Sequence, residues 1–311
     1  MTGSLFSRLD RIATVSIAAA AALGLLLSPA SAQQGFPNPE DAAAALAAAV
    51  KTGTDRAMLK VLGRDAADII ESGDSVADAE TRQRFLSAYD AKHSIKADGN
   101  KKATLILGTD DFPFPIPLVN NHDGWSFDSA AGRREILYRR IGRNELAAIQ
   151  TCLAYVDAQN EYAEKDRGEG VGAYAQRIVS RPGKTDGLFW RDDQNPSPLG
   201  ELAAQAAAEG YKVRDEGTAP YHGYYFRILK AQGSDAPGGA LNYVVKGKMI
   251  GGFALVAWPA EYGNSGVMTF LVNHTGTIYQ KDLGSRTEFL AQRMIVFDPD
   301  QTWKKVDPAN P

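Results

Sequence analysis

Residues 258–284, WPAEYGNSGVMTFLVNHTGTIYQKDLG, decide how the chain is read. Glu261, Ser265, His274 and Asp282 are residue types that build hydrolytic sites. Their spacing argues against one. Trp258-Pro259 closes a strand, residues 261–266 form a turn, 267–273 a second strand, and a polar Asn-His-Thr-Gly turn leads into a third. Glu261 and Ser265 share one turn, His274 sits in the next, and Asp282 follows a strand. No nucleophile–base–orienter set is implied. Gly-Asn-Ser-Gly is no nucleophile elbow either, because Val267 takes the place of the closing glycine. The stretch serves a sheet.

Working outward, GYYFRILKAQ (223–232), ALNYVVKGK (240–248) and GGFALVAWP (251–259) read as further strands, separated by Gly, Pro and Asn. Before them LGELAAQAAAEG (199–210) reads as a helix ended by Gly210. A short helical segment is expected at 174–179. Residues 131–163 read as one long helix, or as two meeting at Gly142. Leu146, Ile149, Leu153 and Val156 lie at helical spacing on the face expected to meet the sheet. Cys152 shares that face and reads as a small buried apolar residue.

The first half opens with helices. Asn38 suits an N-cap, Pro39 the first helical position and Gly53 the stop. Further helices are expected to end at Gly63 and before Gly73, and to cover 78–92, with Asp74 and Ser75 as the start of the last. Residues 93–107 read as a hairpin turning at 98–100. Pro113, Pro115 and Pro117 then restrict the chain to an edge strand or an extended crossing, and WSFD (125–128) returns. The fold class is α+β. A helical domain with a small antiparallel meander covers 36–130, similar in order to the nuclear-transport-factor-like fold. A connecting helix covers 131–141, and a long helix on an antiparallel sheet covers 142–306.

The N-terminus reads as an export signal. Arg8 and Arg11 precede an apolar run at 12–27, which ends in Ala30-Ser31-Ala32. The run is shorter than the roughly 20 residues that span a bilayer. Cleavage is expected between Ala32 and Gln33, without a lipid anchor, giving a periplasmic or secreted protein with no remaining membrane span. Net charge is −3 over 311 residues, so no basic field recruits nucleic acid. A single cysteine allows no internal disulfide.

The remaining motifs point to no reaction. Gly183-Lys184-Thr185 lacks the earlier glycine of a phosphate loop, since Ile178 stands there. GEGVG (168–172) follows a helix, not the strand a dinucleotide site needs. SGDSV (72–76) resembles an esterase nucleophile block but lies between helices. The four histidines form no ligand pair; His122 and His274 lie in turns, and His222 lies among tyrosines. No cofactor is expected. A calcium ion would suit the acidic loops, but Lys165 and Arg167 stand where 164–170 would need acids.

GFPNPEDAAAAL, GWSFDSAAGRREILYRRIGRNELAAIQ, AYVDAQNEYA, KTDGLFW, SPLGELAAQAAAEGY, YHGYYFRILKAQG and residues 251–284 resemble the bacterial domain-of-unknown-function 2950 family across nearly the whole chain after residue 32. The resemblance implies an exported bacterial protein and no known reaction. The second half also resembles the head of a type IV pilin or pseudopilin. However, the apolar run at 12–27 is separated from the spine helix by a whole domain, so only the head fold is implied. Together these readings favour a non-enzymatic envelope or secreted protein that contacts an envelope partner in assembly or attachment. Phe112, Phe114, Trp258 and Tyr262 are its candidate partner surface. The alternative is a hydrolase or small-ligand binder with a cleft between the halves.

Overall fold

The computed structural model describes residues 33–192, 194–212 and 219–306. The expected signal segment and Ala32 lie outside them, and Gln33 is the first described residue. Among these residues the fold is α+β, with helices and antiparallel sheets.

Local capping sets the first helices. In α1 (Pro39–Thr52) the Asn38 side chain accepts the Asp41 N–H at 2.7 Å, and Gly53 ends the helix at φ 66°. Its face of Ala42, Leu46 and Val50 is buried. Helix α2 (Asp55–Leu62) follows, then a 3-10 turn over Arg64–Ala66, α3 (Ala67–Ile70) and α4 (Ser75–Ala91). These helices cover a sheet of β1 (His93–Asp98), β2 (Lys102–Leu107), β3 (Phe112–Pro113), β4 (Leu118–Asn121) and β5 (Gly124–Phe127), ordered β1-β2-β4-β5. Strand β3 pairs with β2 over two residues only, and the alternate prolines after it supply no ladder donors.

Helix α5 (Ser129–Ala163) is one unbroken rod through Gly142. Ile136 packs on the first core, with Leu46, Met58, Ile116 and Phe127. Ala148, Ile149, Cys152, Tyr155, Val156 and Tyr162 pack on the second. Of the expected stripe, Ile149 and Val156 are buried and Leu153 packs on the same core, while Leu146 is 48% exposed; the buried face widens to take in 148, 152, 155, 159 and 162.

The segment at 174–179 is not a helix. The Tyr174 N–H donates to Met249 O at 2.8 Å, and Ile178 O accepts from the Phe189 N–H at 2.8 Å. Gly170 and Gly172 hold positive φ before it and Pro182 follows, so the chain is too interrupted for helical turns and pairs sideways instead. After it come α6 (Gly200–Ala208), β6 (Tyr224–Leu229), β7 (Ala231–Gln232), β8 (Leu241–Asn242), β9 (Val244–Val245) and β10 (Lys248–Met249). The chain continues as β11 (Ala254–Pro259), β12 (Met268–Asn273), β13 (Ile278–Asp282), α7 (Thr287–Ala291) and β14 (Lys304–Lys305). The main sheet runs β14-β13-β12-β11-β6, antiparallel throughout. Strand β11 is buried along its whole length, as a central strand covered on both faces must be.

From Gln33 on, the chain forms one compact unit that holds separate hydrophobic clusters in its two halves. We propose, as the sequence division implies, that the halves are distinct folding units sharing α5.

Cys152 is completely buried in the second core, and burial pushes its thiol up to about 12. The thiolate is the reactive form. A maleimide at pH 8 is therefore expected to leave the native chain unlabelled and to add one equivalent in denaturant. Fast labelling of the folded protein would mean that this face of α5 opens.

Candidate functional site

Four stretches far apart in sequence converge where the halves meet. They are residues 68–78, residues 140–145 of α5, residues 209–212 with 221–223, and the turn at 261–266. Their centre is Asp74, which is 1% exposed. Gly73, at φ 80°, turns the chain into α4, and Asp74 caps that helix. Its Oδ1 accepts the Val76 and Ala77 N–H groups at 3.1 and 3.2 Å. Its Oδ2 accepts the Tyr211 hydroxyl at 2.9 Å and the Gly223 N–H at 2.8 Å.

The 221–223 turn is strained to reach it. His222 holds φ 47° and Gly223 φ 75°. A Cβ on Gly223 would stand 2.5 Å from Asn144 Nδ2 and 3.0 Å from Ser265 Cβ, so only glycine fits. His222 pays for its left-handed backbone with local contacts. Its ring packs 4.2 Å from Tyr221 and 5.4 Å from Tyr211 between centroids, and its Nε2 stands 3.1 Å from Glu209 Oε2.

Helix α5 grips both halves through polar side chains. Buried Arg140 donates to Asp68 O at 2.6 Å, to Ile69 O and to Asn264 Oδ1. Asn264 Nδ2 donates in turn to Glu71 O at 2.7 Å and Glu261 Oε2 at 2.8 Å. One turn on, Asn144 Nδ2 donates to Ser265 O at 2.9 Å. Glu145 Oε1 accepts the Val267 and Met268 N–H groups, both at 2.9 Å. Burial lowers the Arg140 pKa, against which the Asp78 carboxylate acts first.

A cavity of about 540 Å³ opens beside this network, lined by Glu71, Asp74, Ser75, Asp78, Tyr211 and Glu261 among others. It is acidic. A hydrogen bond with Asp55, and then its charge, raise the Glu71 carboxyl, while burial raises Asp78. Burial, followed by the Asp74 charge, also raises the Tyr211 hydroxyl, and burial pushes Tyr221 up to about 12. The two tyrosine hydroxyls stay protonated near neutral pH and act as hydrogen-bond donors, not as bases.

The residues singled out from sequence are not gathered here. Phe112 is 45% exposed at the edge of the first sheet, and Tyr262 is 39% exposed, its hydroxyl 3.3 Å from Asp282 Oδ2. Phe114 is partly buried, 5.5 Å from Phe85 and 6.1 Å from Phe127 between ring centroids. Trp258 is 3% exposed. It lies on the central strand β11, against Tyr225 of β6, so it belongs to the core and offers no partner surface. Ser265 is fully buried and its Oγ is spent within its own turn, accepting Glu261 N–H at 2.9 Å. His274 is exposed and stands edge-on to Tyr243. Among the described residues, no group of three or more His, Cys, Asp or Glu is set to hold a metal ion. In the loop weighed for calcium, Asp166 Oδ1 instead accepts the Gly168 and Gly170 N–H groups, each at 2.8 Å.

Removing Arg140 strands one buried and two half-buried acceptors at once. Arg140→Ala is expected to cost about 3 kcal/mol of unfolding free energy. With the halves as separate folding units, it also splits the denaturant transition in two. One sharp transition, merely shifted, would show a single shared unit. Arg140→Lys recovers only part of the loss, because an ammonium lacks the planar fork.

No solved structure matches the chain, so the pilin-head likeness of the second half finds no support there. One similar protein is the anhydro-N-acetylmuramic acid kinase of Cupriavidus metallidurans, 25% identical over 130 residues. That stretch is 42% of this chain and spans only about a third (33%) of that relative. The family comparison covers far more. The model described as "Protein of unknown function (DUF2950)" matches residues 33–306, from the first described residue to the last, and the chain belongs to the DUF2950 family.

Proposed function

We propose that this is an exported, non-catalytic protein that works by contact with another protein of the cell envelope, in assembly or attachment. Export rests on the charged, apolar and Ala-Ser-Ala segments of residues 1–32. Among the described residues no helix is long and apolar enough to cross a membrane.

The observation that carries the contact reading is the hairpin around β9 and β10. Leu241, Val245 and Ile250 expose 46%, 44% and 51% of their surfaces within ten residues of chain. Large apolar side chains grouped at a surface favour a partner that removes them from water. The absence of turnover rests on saturation. The Asp74 carboxylate accepts four hydrogen bonds, which leaves no free lone pair positioned for proton abstraction. Ser265 is equally committed.

A second reading, small-ligand binding at the seam, is favoured by the cavity beside Asp74. Phosphoryl transfer, suggested by the name of the kinase relative, lacks its usual cradle. The Gly183-Lys184-Thr185 stretch is a turn in which the Lys184 N–H donates to Arg181 O at 2.9 Å, and no helix follows it.

The test places a photo-crosslinking amino acid at Val245 in cells producing the full chain. One discrete adduct is expected, lost in Ile250→Glu while the melting temperature stays level. The exported form is expected to begin at Gln33 by mass spectrometry. An intact Met1, an adduct indifferent to Ile250→Glu, or ATP turnover abolished by a seam substitution would overturn the reading.

A further inference from the structure

We propose that a second, larger cavity, walled by α6 and by residues 189–192 and 196–197, binds a small ring compound carrying one carboxylate. It has a volume of about 1130 Å³, ample for a small organic ligand. This inference goes beyond the partner contact and does not depend on it.

The cavity's floor is flat. Gly200, Ala203, Ala204 and Ala207 all line it, and their spacing of three, four and seven residues puts them on one face of α6. No side chain longer than a methyl group rises from that face, so a planar ring can lie against it. Aromatic walls flank the floor. Trp190 and Tyr211 both line the cavity. The indole is fixed, with its Nε1 donating to Asn195 O at 2.7 Å and the Arg167 guanidinium 4.7 Å from its ring centroid. A rigid ring offers apolar contact at little entropic cost.

The polar groups select the charge. Arg191 and Lys212 stand exposed at the rim, against Asp192 as the one acid among the described lining residues. Helix α6 begins there with no side-chain cap on its N-terminus, whose positive end Glu201 in the first turn offsets in part. The independent sign of a ligand is Ser197. It lines the same cavity, is 7% exposed, and its Oγ has no hydrogen-bond partner among the described residues. Buried hydroxyls are almost always paired. A carboxylate oxygen entering past Gly200 gives Ser197 its acceptor once the hydroxyl turns toward it, and places the negative charge near Arg191 and Lys212. An amine or a second cation would meet the wrong field.

The experiment titrates the full chain with benzoate and with glucuronate, each beside a neutral counterpart, benzamide and glucose. Calorimetry and tryptophan fluorescence are read together. At least one carboxylate is expected to saturate, and which one does so distinguishes an aromatic ring from a sugar ring. Its neutral counterpart binds about tenfold more weakly or not at all, and Lys212→Gln weakens the carboxylate severalfold. Ala204→Leu, at an exposed position on the floor, abolishes binding at an unchanged melting temperature. Ala207→Leu serves in its place should that chain not fold. No saturation by either acid up to about 10 mM, equal binding of the neutral compounds, or undiminished binding in the leucine variants would overturn the proposal. Ile250→Glu leaves this binding intact, so its outcome and that of the partner contact are read separately.

Discussion

The four hydrogen bonds on the Asp74 carboxylate are the constraint on which the joining of the halves depends. Two come from its own helix, and two come from Tyr211 and Gly223, which lie 137 and 149 residues away. A carboxylate buried without such donors would be driven to take up a proton. Here the second half provides what the first half needs. The requirement runs the other way as well. The 221–223 turn holds two consecutive residues at positive φ, and strain of that kind persists only where neighbours over-determine it. The Gly223 N–H bond to Asp74 and the tight approach to Asn144 and Ser265 fix the turn from both sides.

The elements governed by local chemistry were legible in the sequence. Asn38, Pro39 and Gly53 mark out α1 because caps and stops act over four residues. The strands of residues 223–283 were legible because alternation and turn residues are also local. Features that depend on what lies across the fold leave less trace in the sequence. The expected inward stripe of α5 holds at Ile149, Leu153 and Val156 and fails only at Leu146, which is 48% exposed, because where the sheet stops covering the helix is set by distant strands. The 174–179 segment was read as helix because its strand partners, Met249 and Phe189, lie on other stretches of chain.

The seam was the least legible part. Asp74 was readable as a helix start, but its distant donors were not. Arg140 sits in an Arg-rich run, RRIGR (139–143), where solvation is the ordinary reading. Nothing in that run separates it from Arg139, which pairs with Glu135 at the surface, its side chain 55% exposed. The one local hint is the triplet Asn264-Ser265-Gly266, polar residues in a turn between two apolar strands. Its partners are backbone carbonyls and an arginine, which leave no signature in residue type. Trp258 illustrates the same limit in reverse. An aromatic beside a proline and a turn reads as a strand end at the surface, yet Trp258 pairs across to Tyr225 of β6 and is buried in the second core.

Saturation and its absence divide the molecule by role. At the seam, Asp74, Asn264 and Ser265 have their capacity filled by protein, so these groups hold structure and have little left to give a substrate. A general base needs a lone pair aimed at empty space, and a nucleophile needs a neighbour that takes its proton. Among the described residues, unfilled capacity lies in the Ser197 hydroxyl and in Nε and Nη2 of Arg167, which stacks on the same Trp190 that walls the larger cavity, and also in Glu209 Oε2 at the seam and in Trp258 Nε1 and Thr269 Oγ1. Buried donors without partners are costly in a folded chain. Ser197 and Arg167 both lie beside one indole, and Tyr211, which donates to Asp74, walls the same cavity, so the proposed ligand site adjoins the seam that joins the halves.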